Sequence, residues 1–280
     1  MSSYKENKDK SSKSKRKKVT VSKFIAKKSK GKKIAVLTAY DYYTARYLDR
    51  AGVDSLLVGD SVSMVHYGED STLPVTMEIM LAHTKAVSDA TEYALVIGDM
   101  PFMSYQSSVE LAVANAGRFL KEGRAEAVKL EGGIEMADTV KRIVECGIPV
   151  MGHIGLTPQS IHRFGGAKVQ GRKEKSIQYL LESAQALEEA GAFSMVLELV
   201  QKDTAEQITK AVHIPTIGIG AGVNCDGQVL VINDILGLYE DFKPKFVRQY
   251  ANLAPSIEKA ASEFIADVKS GAYPSDDESF

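Results

Sequence analysis

Four acidic side chains close short apolar runs: Asp60 in SLLVGDS, Asp99 in LVIGDMPF, Glu131 in AVKLEGG and Glu198 in SMVLELV. A carboxylate at the end of a buried strand is costly unless an opposite charge meets it there. The repeated placement therefore points to chemistry done by several strand ends together. Asp60, Asp99 and Glu131 stand on three successive runs, and neighbouring strands lie about 4.8 Å apart, so the three could converge on one cation. All their donors are oxygens, which suits Mg²⁺ rather than zinc, for which His and Cys ligands would be expected. Some of these acids could reach the ion through water, so the number of direct bonds stays open. Glu198 arrives two strands later and is free to act as a base.

Lys129 precedes Glu131 by two residues, so in a strand their side chains share one face. A lysine there either balances the carboxylates or holds a substrate anion. Ser61, next to Asp60 in VGDS, offers a hydroxyl and a backbone N–H to such an anion, and a plain turn role fits it equally. His66, His83, His162 and His213 fall in loops or helical stretches and read as structural or surface residues. The glycine-rich TIGIGAG reads as a tight turn.

These groups need elements that bring them to one place. Apolar, β-branched runs occupy 34–39, 55–59, 95–98, 127–130, 149–152, 194–197, 215–219 and 228–232. Between them lie stretches with three- and four-residue apolar spacing, at 77–90, 108–121, 135–146, 175–190 and 204–212. Strict alternation implies parallel strands joined by right-handed crossovers. Eight such units predict a (β/α)8 TIM barrel, whose usual length is roughly 250 residues and whose strand carboxyl ends form one catalytic rim. An open doubly wound sheet is the alternative fold, but it gathers its site at a single switch point rather than around a rim. The connections 61–76 and 155–174 are long for a barrel and are candidate lids.

The chain has 280 residues, 44% hydrophobic and 25% charged, which suits one large domain with a sizeable core. Its apolar stretches fall short of the roughly 18 to 20 residues needed to span a bilayer, so no membrane is expected. Cys146 and Cys225 match no ligand spacing and read as reduced thiols of a cytoplasmic protein. The net charge of −1 conceals an asymmetry: residues 1–33 hold 14 Lys or Arg and 2 Asp or Glu. Residues 1–18 lack the apolar content that would offset ordering entropy and are expected to form a disordered lysine-rich tail, with 19–280 as a single catalytic barrel. The tail has neither the apolar core of a signal peptide nor the pattern of a transit sequence. A nucleic-acid-binding reading of it leaves the rim acids unexplained, so no nucleic-acid partner is expected.

The motifs TAYD (38–41), VGDS (58–61), GDMPF (98–102), KLEGG (129–133), GHIGLTPQ (152–159), LEL (197–199) and IPTIGIGAG (214–222) together resemble the ketopantoate hydroxymethyltransferases. The resemblance runs in order from about Val21 to Lys269. It implies a barrel of the phosphoenolpyruvate/pyruvate type and transfer of a one-carbon unit from 5,10-methylenetetrahydrofolate to 3-methyl-2-oxobutanoate. It also implies a homo-oligomer, commonly a decamer. Asp60 and Asp99 match the magnesium-site aspartates of the family, and Glu131 the acid that completes that shell. Asp60, Ser61, Asp99 and Lys129 match substrate contacts, and Glu198 matches the proton acceptor. His153, expected just past the fifth strand, is placed by the same match at the substrate oxyanion. A magnesium-dependent phosphoenolpyruvate- or isocitrate-type lyase is the alternative activity. Enzymes resembling isocitrate lyase carry a Cys-Gly-His segment, and neither cysteine here stands in one.

Overall fold

The computed structural model describes residues 16–239 and 244–280. Eight parallel strands close into a barrel in chain order, β8 pairing back onto β1. They are β1 Ile34–Thr38, β2 Ser55–Val58, β3 Leu95–Asp99, β4 Ala127–Lys129, β5 Val150–Gly155, β6 Ser194–Glu198, β7 Thr216–Ile219 and β8 Gly227–Leu230. The helices are α1 Val21–Ser29, α2 Tyr42–Ala51, α3 Val62–Val65, α4 Met77–Ala90, α5 Val109–Lys121, α6 Ala137–Glu145, α7 Ile161–Phe164, α8 Glu174–Glu189, α9 Lys202–Ala211, α10 Ile232–Leu236 and α11 Ala254–Ser270. Each of the eight apolar runs forms a strand, and the barrel replaces the open sheet as the fold.

Strand alternation divides the core into two layers. Val36, Leu57, Ile97, Ala127, Met151, Val196, Ile217 and Val229 belong to one cluster, which fills the barrel interior. Leu56, Val58, Val96, Val128, Val150 and Leu197 belong to the other, together with Phe119, Ile143, Leu187 and Ile208 from the surrounding helices. Phe24 of α1 lies fully buried in the interior cluster, edge-on to Phe193 at 5.7 Å. Helix α1 thus plugs the amino-terminal mouth and leaves the carboxyl-terminal rim as the open end. Gly98 permits a close approach of α5 to β3, since a Cβ there would stand 2.3 Å from the Phe119 ring.

Local capping starts the helices where the sequence turns. Asp41, the last residue of TAYD, accepts from the Thr44 N–H at 2.9 Å and caps α2, and Gly52 ends that helix in the left-handed region. Such caps satisfy backbone groups that a helix end leaves without partners.

Four sequence expectations are displaced. Strand β5 runs on to Gly155, so His153 is inside it rather than beyond it; its pairing with β6 continues through Gly155 and Glu198. The eighth run stops earlier, because Val231 caps α10 and the Ile232 N–H turns to the Thr38 hydroxyl at 3.0 Å. The stretch 135–146 opens as a 3-10 turn at Ile134–Met136 before α6 begins. Finally, residues 1–15 of the expected tail lie outside the described residues, and 16–18 are held against the barrel. The Arg16 guanidinium donates to the carbonyls of Asp49 and Val53 at the end of α2, and the Lys18 ammonium donates to the Ala94 carbonyl at 2.7 Å and pairs with Glu126. Among the described residues, attachment to the barrel is thus already made at Arg16 and Lys18, ahead of Val19.

Candidate active site

The alternation that packs the interior also builds the site. Ile97, Ala127, Met151 and Val196 point inward, so two residues on Asp99, Lys129, His153 and Glu198 point inward as well, and Glu131 follows Lys129 by the same step. Asp60 and Ser61 enter from the turn after β2. All seven line one cavity of about 470 Å³ at the carboxyl-terminal rim. Leu156, Pro158, Ala167 and Val169 from the long connection after β5 form part of its wall, with Leu199, Tyr239 and Phe246 opposite. Met64, Val65 and Thr72 of the connection after β2 also reach it, so both candidate lids border the cavity.

Inside, charge is tightly confined. Asp99 and Lys129 face one another in the β3–β4 register, and the Lys129 ammonium donates to both Asp99 oxygens, at 2.8 and 3.0 Å. It lies 3.9 Å from Glu131 Oε1. Burial opposes the ammonium charge, but Asp99, Glu131 and Asp60 outweigh it and hold the lysine protonated. Burial pushes the Asp60 carboxyl well above its usual range, and Asp99 and Glu131 push it further. Asp99 is also raised by burial, with Lys129 working against the shift. Glu131 is the exception, because His153 and Lys129 overcome its burial and hold its carboxyl below the usual value.

His153 stands between the two groups of acids. Its Nδ1 is 3.4 Å from Glu131 Oε1 and its Nε2 is 3.3 Å from Glu198 Oε2. These are ion-pair separations; neither ring nitrogen makes an aligned hydrogen bond. Burial and Lys129 push the imidazole down, yet Glu131 and Glu198 carry it up to about 9. His153 thus faces two carboxylates, whereas the resemblance implied an oxyanion contact.

Neutral residues stand behind the lining and hold it, and they carry no charge that would mark them in the sequence. The Tyr40 hydroxyl lies 2.8 Å from the Ser61 hydroxyl, fixing the turn that carries Asp60. Gln159 reaches Asp60 at 2.9 Å, and Tyr105 accepts from the Glu131 N–H at 3.0 Å. Tyr40 and Gln159 stand inside TAYD and GHIGLTPQ, so the motifs that carry the resemblance marked them without showing what they touch.

The donor set fits a hard cation. Three buried carboxylates share the cavity, two of them driven up chiefly by burial and further by neighbouring acids, and Glu131 Oε1 is buried with no hydrogen-bond partner. Among the described residues, however, no three His, Cys, Asp or Glu side chains already form a metal cage. Lys129 occupies both Asp99 oxygens in this arrangement. Binding through one or two carboxylates, with water and substrate supplying the rest, is the usual magnesium pattern.

Comparison with known proteins gives the family. The ketopantoate hydroxymethyltransferase family model matches residues 18–276. A 3-methyl-2-oxobutanoate hydroxymethyltransferase of Syntrophus aciditrophicus (strain SB) is 58% identical over 270 residues, covering 96% of this chain and 99% of that protein. One from Dehalococcoides mccartyi (strain CBDB1) is 57% identical, covering 93% and 94%. Among solved structures, a phosphonopyruvate hydrolase complexed with oxalate and Mg²⁺ superposes with a TM-score of 0.60 at 14% identity, covering 92% and 93% of the two chains. A 2,3-dimethylmalate lyase of the PEP mutase/isocitrate lyase superfamily gives 0.58 at 16% identity, covering 93% and 91%. The two structures share the barrel, and at such identities show the fold alone. The match along nearly the whole sequence decides the family: this chain belongs to the ketopantoate hydroxymethyltransferases.

Proposed function

We propose that the chain transfers a hydroxymethyl group from 5,10-methylenetetrahydrofolate to 3-methyl-2-oxobutanoate, consuming one water and giving 2-dehydropantoate and tetrahydrofolate, the first step of pantothenate synthesis. The observation that carries this reading is one cavity with Asp60, Asp99 and Glu131 on one side and Glu198 on the other. Asp60, Asp99 and Glu131 would hold Mg²⁺. Bound there with the 2-oxo acid, the ion would stabilise negative charge on the keto oxygen and make the adjacent C–H more acidic.

The protein's own groups then have distinct tasks. Glu198 takes the proton from the carbon next to the keto group. Water adds to the methylene carbon of the folate and both of its C–N bonds break, so that tetrahydrofolate leaves and formaldehyde is released in place. The deprotonated carbon attacks that formaldehyde carbon while its oxygen takes up a proton to become the new hydroxyl. Lys129 and Ser61 hold the substrate carboxylate, which requires Lys129 to give up part of its contact with Asp99. His153, flanking Glu198, keeps positive charge beside the base and the developing oxyanion. The apolar walls lower the polarity around the reacting groups, which strengthens each of these interactions. The protein works in the cytoplasm as a homo-oligomer. Its two free cysteines and the exposed apolar face of α11 support that assignment.

Deuterium exchange tests the base. With Mg²⁺ and no folate, the protein should exchange the hydrogen next to the keto group of 3-methyl-2-oxobutanoate in D₂O, followed by proton NMR. Glu198→Gln keeps the shape and removes the proton acceptor, so exchange should fall by roughly 10² to 10⁴, the usual share of a general base. Equal exchange by Glu198→Gln and the unaltered protein would remove Glu198 from the mechanism.

A further inference from the structure

Gln159 is buried behind the Asp60 and Glu131 carboxylates of the site and has no task in the chemistry above. Its side-chain nitrogen donates to Asp60 Oδ2 at 2.9 Å and to the Met100 carbonyl at 2.9 Å. Its side-chain oxygen accepts from the Tyr105 hydroxyl at 2.7 Å and from the Gln106 amide at 3.0 Å. Its backbone N–H donates to Glu131 Oε2 at 3.0 Å. A primary amide has two donor hydrogens and two acceptor lone pairs, and here all four are used.

From these contacts we infer that Gln159 is a positioning residue that sets the Asp60 and Glu131 carboxylates for the cation, an inference that rests on the magnesium reading. The amide has one allowed orientation. A carbonyl only accepts, so a flip would set the glutamine oxygen against both Met100 O and a carboxylate. The nitrogen is therefore aimed at Asp60, on the β2 side of Asp99, while the backbone of the same residue grips Glu131 on the β4 side. With Oε2 tied to Gln159, Glu131 is left with Oε1, the oxygen that has no hydrogen-bond partner. Tyr105 stiffens the arrangement, since its hydroxyl touches Gln159 and also accepts from the Glu131 N–H. Packing alone would not require an amide here, because a methionine fills a similar volume without polar atoms to satisfy.

Location adds a consequence. Gln159 lies in the 3-10 turn Pro158–Ser160, at the start of the long connection after β5 that walls the cavity. Seating that connection and orienting two carboxylates are thus a single event.

Mn²⁺ is the probe, titrated into metal-free full-length protein and followed by calorimetry and electron paramagnetic resonance. Gln159→Met should weaken Mn²⁺ binding by about 10- to 100-fold, as loss of a group that orients metal ligands does. At saturating Mn²⁺ the maximal deuterium-exchange rate should return to within about threefold of the unaltered protein, since only ligand placement was lost. A purely structural role would lower the melting temperature and leave the Mn²⁺ dissociation constant unchanged. Tyr105→Phe keeps the ring, frees the glutamine oxygen and should weaken binding by less, about three- to tenfold; it decides the matter if Gln159→Met does not fold. Binding within about twofold of the unaltered protein for the folded variants would overturn the inference and leave the proposed function standing. If the unaltered protein binds no Mn²⁺ and exchanges deuterium without metal, the magnesium reading fails and the inference fails with it.

Discussion

At the scale of single residues, His153 carries the charge balance between the carboxylates of β2 to β4 and Glu198. A folded-state value of about 9 lies above the roughly 6.5 of an unperturbed histidine, so the folded state favours the protonated ring. The stabilisation that follows is complete below about pH 6.5 and is lost as pH rises through about 9. Melting temperatures of the metal-free protein should therefore fall by several degrees across that window. His153→Asn should flatten the fall, because it removes the group that titrates. An unchanged slope in that variant would show that other groups govern the pH dependence. The acids and Lys129 were legible in the sequence because a charge closing an apolar strand stands out against its neighbours. Gln159, Tyr105 and Tyr40 were not, since neutral polar residues give no such contrast and their partners lie on distant segments: Gln159 meets Asp60 across 99 positions. Asp49 shows the limit of the charge signal from the other side. It too is buried, yet it accepts from the backbone of Glu92, Tyr93 and Ala94 and serves only to seat β3.

At the scale of elements, the barrel strands were readable from apolar, β-branched runs set between stretches of helical spacing. The extension of β5 was hidden because His153 looks like the end of a run. It belongs to the strand since the barrel interior turns polar at the rim, where inward residues meet the site. Gly155 then has a definite task. It takes φ +100°, and a Cβ there would lie 2.2 Å from the Glu198 carbonyl oxygen and 2.7 Å from a Val200 methyl. Gly155→Ala must push β6 away at the residue that carries the base. A misplacement of about 1 Å can lower a rate by about 10², so exchange at saturating Mg²⁺ should fall by one to two orders of magnitude. Mn²⁺ binding should stay near that of the unaltered protein, because its ligands stand on β2 to β4. Loss of both together would mean that the substitution disturbs the barrel as a whole.

At the scale of the molecule, the basic amino-terminal stretch changes meaning once folded. Composition assigns residues 1–18 to a solvated tail and the basic residues from 19 onward to the barrel domain, and in the fold the lysines of α1 fasten that helix to the closed end of the barrel. Lys27 pairs with Asp54 at 2.6 Å and Lys28 with Asp226 at 3.0 Å, while Lys28 also donates to the carbonyls of Thr209 and Ile214. Composition cannot separate a lysine that meets water from one that meets carbonyls at a barrel floor, so that part of the fold was not legible.

The carboxyl-terminal helix presents the opposite case, an apolar surface that the described residues leave exposed, with Tyr273 reaching the Phe264 ring at 5.5 Å. Helix α11 has 17 residues and buries none of them. Ile257, Ala261, Phe264, Ile265 and Val268 fall on one face by their spacing, and Ile257 and Phe264 are 58% and 55% exposed. Isolated helices of about this length are marginal in water and depend on packing of the apolar face. The surface that packs it belongs, on our reading, to another copy of the same chain. Sedimentation equilibrium should then show an oligomer. Replacing Phe264 and Ile265 together by Glu places two charges on the stripe and should shift the population to smaller species, with a fall in the helix signal of circular dichroism as α11 frays. Because α11 lines no part of the cavity, Mn²⁺ binding by the smaller species should match that of the unaltered protein. A monodisperse monomer in the unaltered protein would exclude the oligomer, and an oligomer indifferent to both substitutions would place the contact on another face.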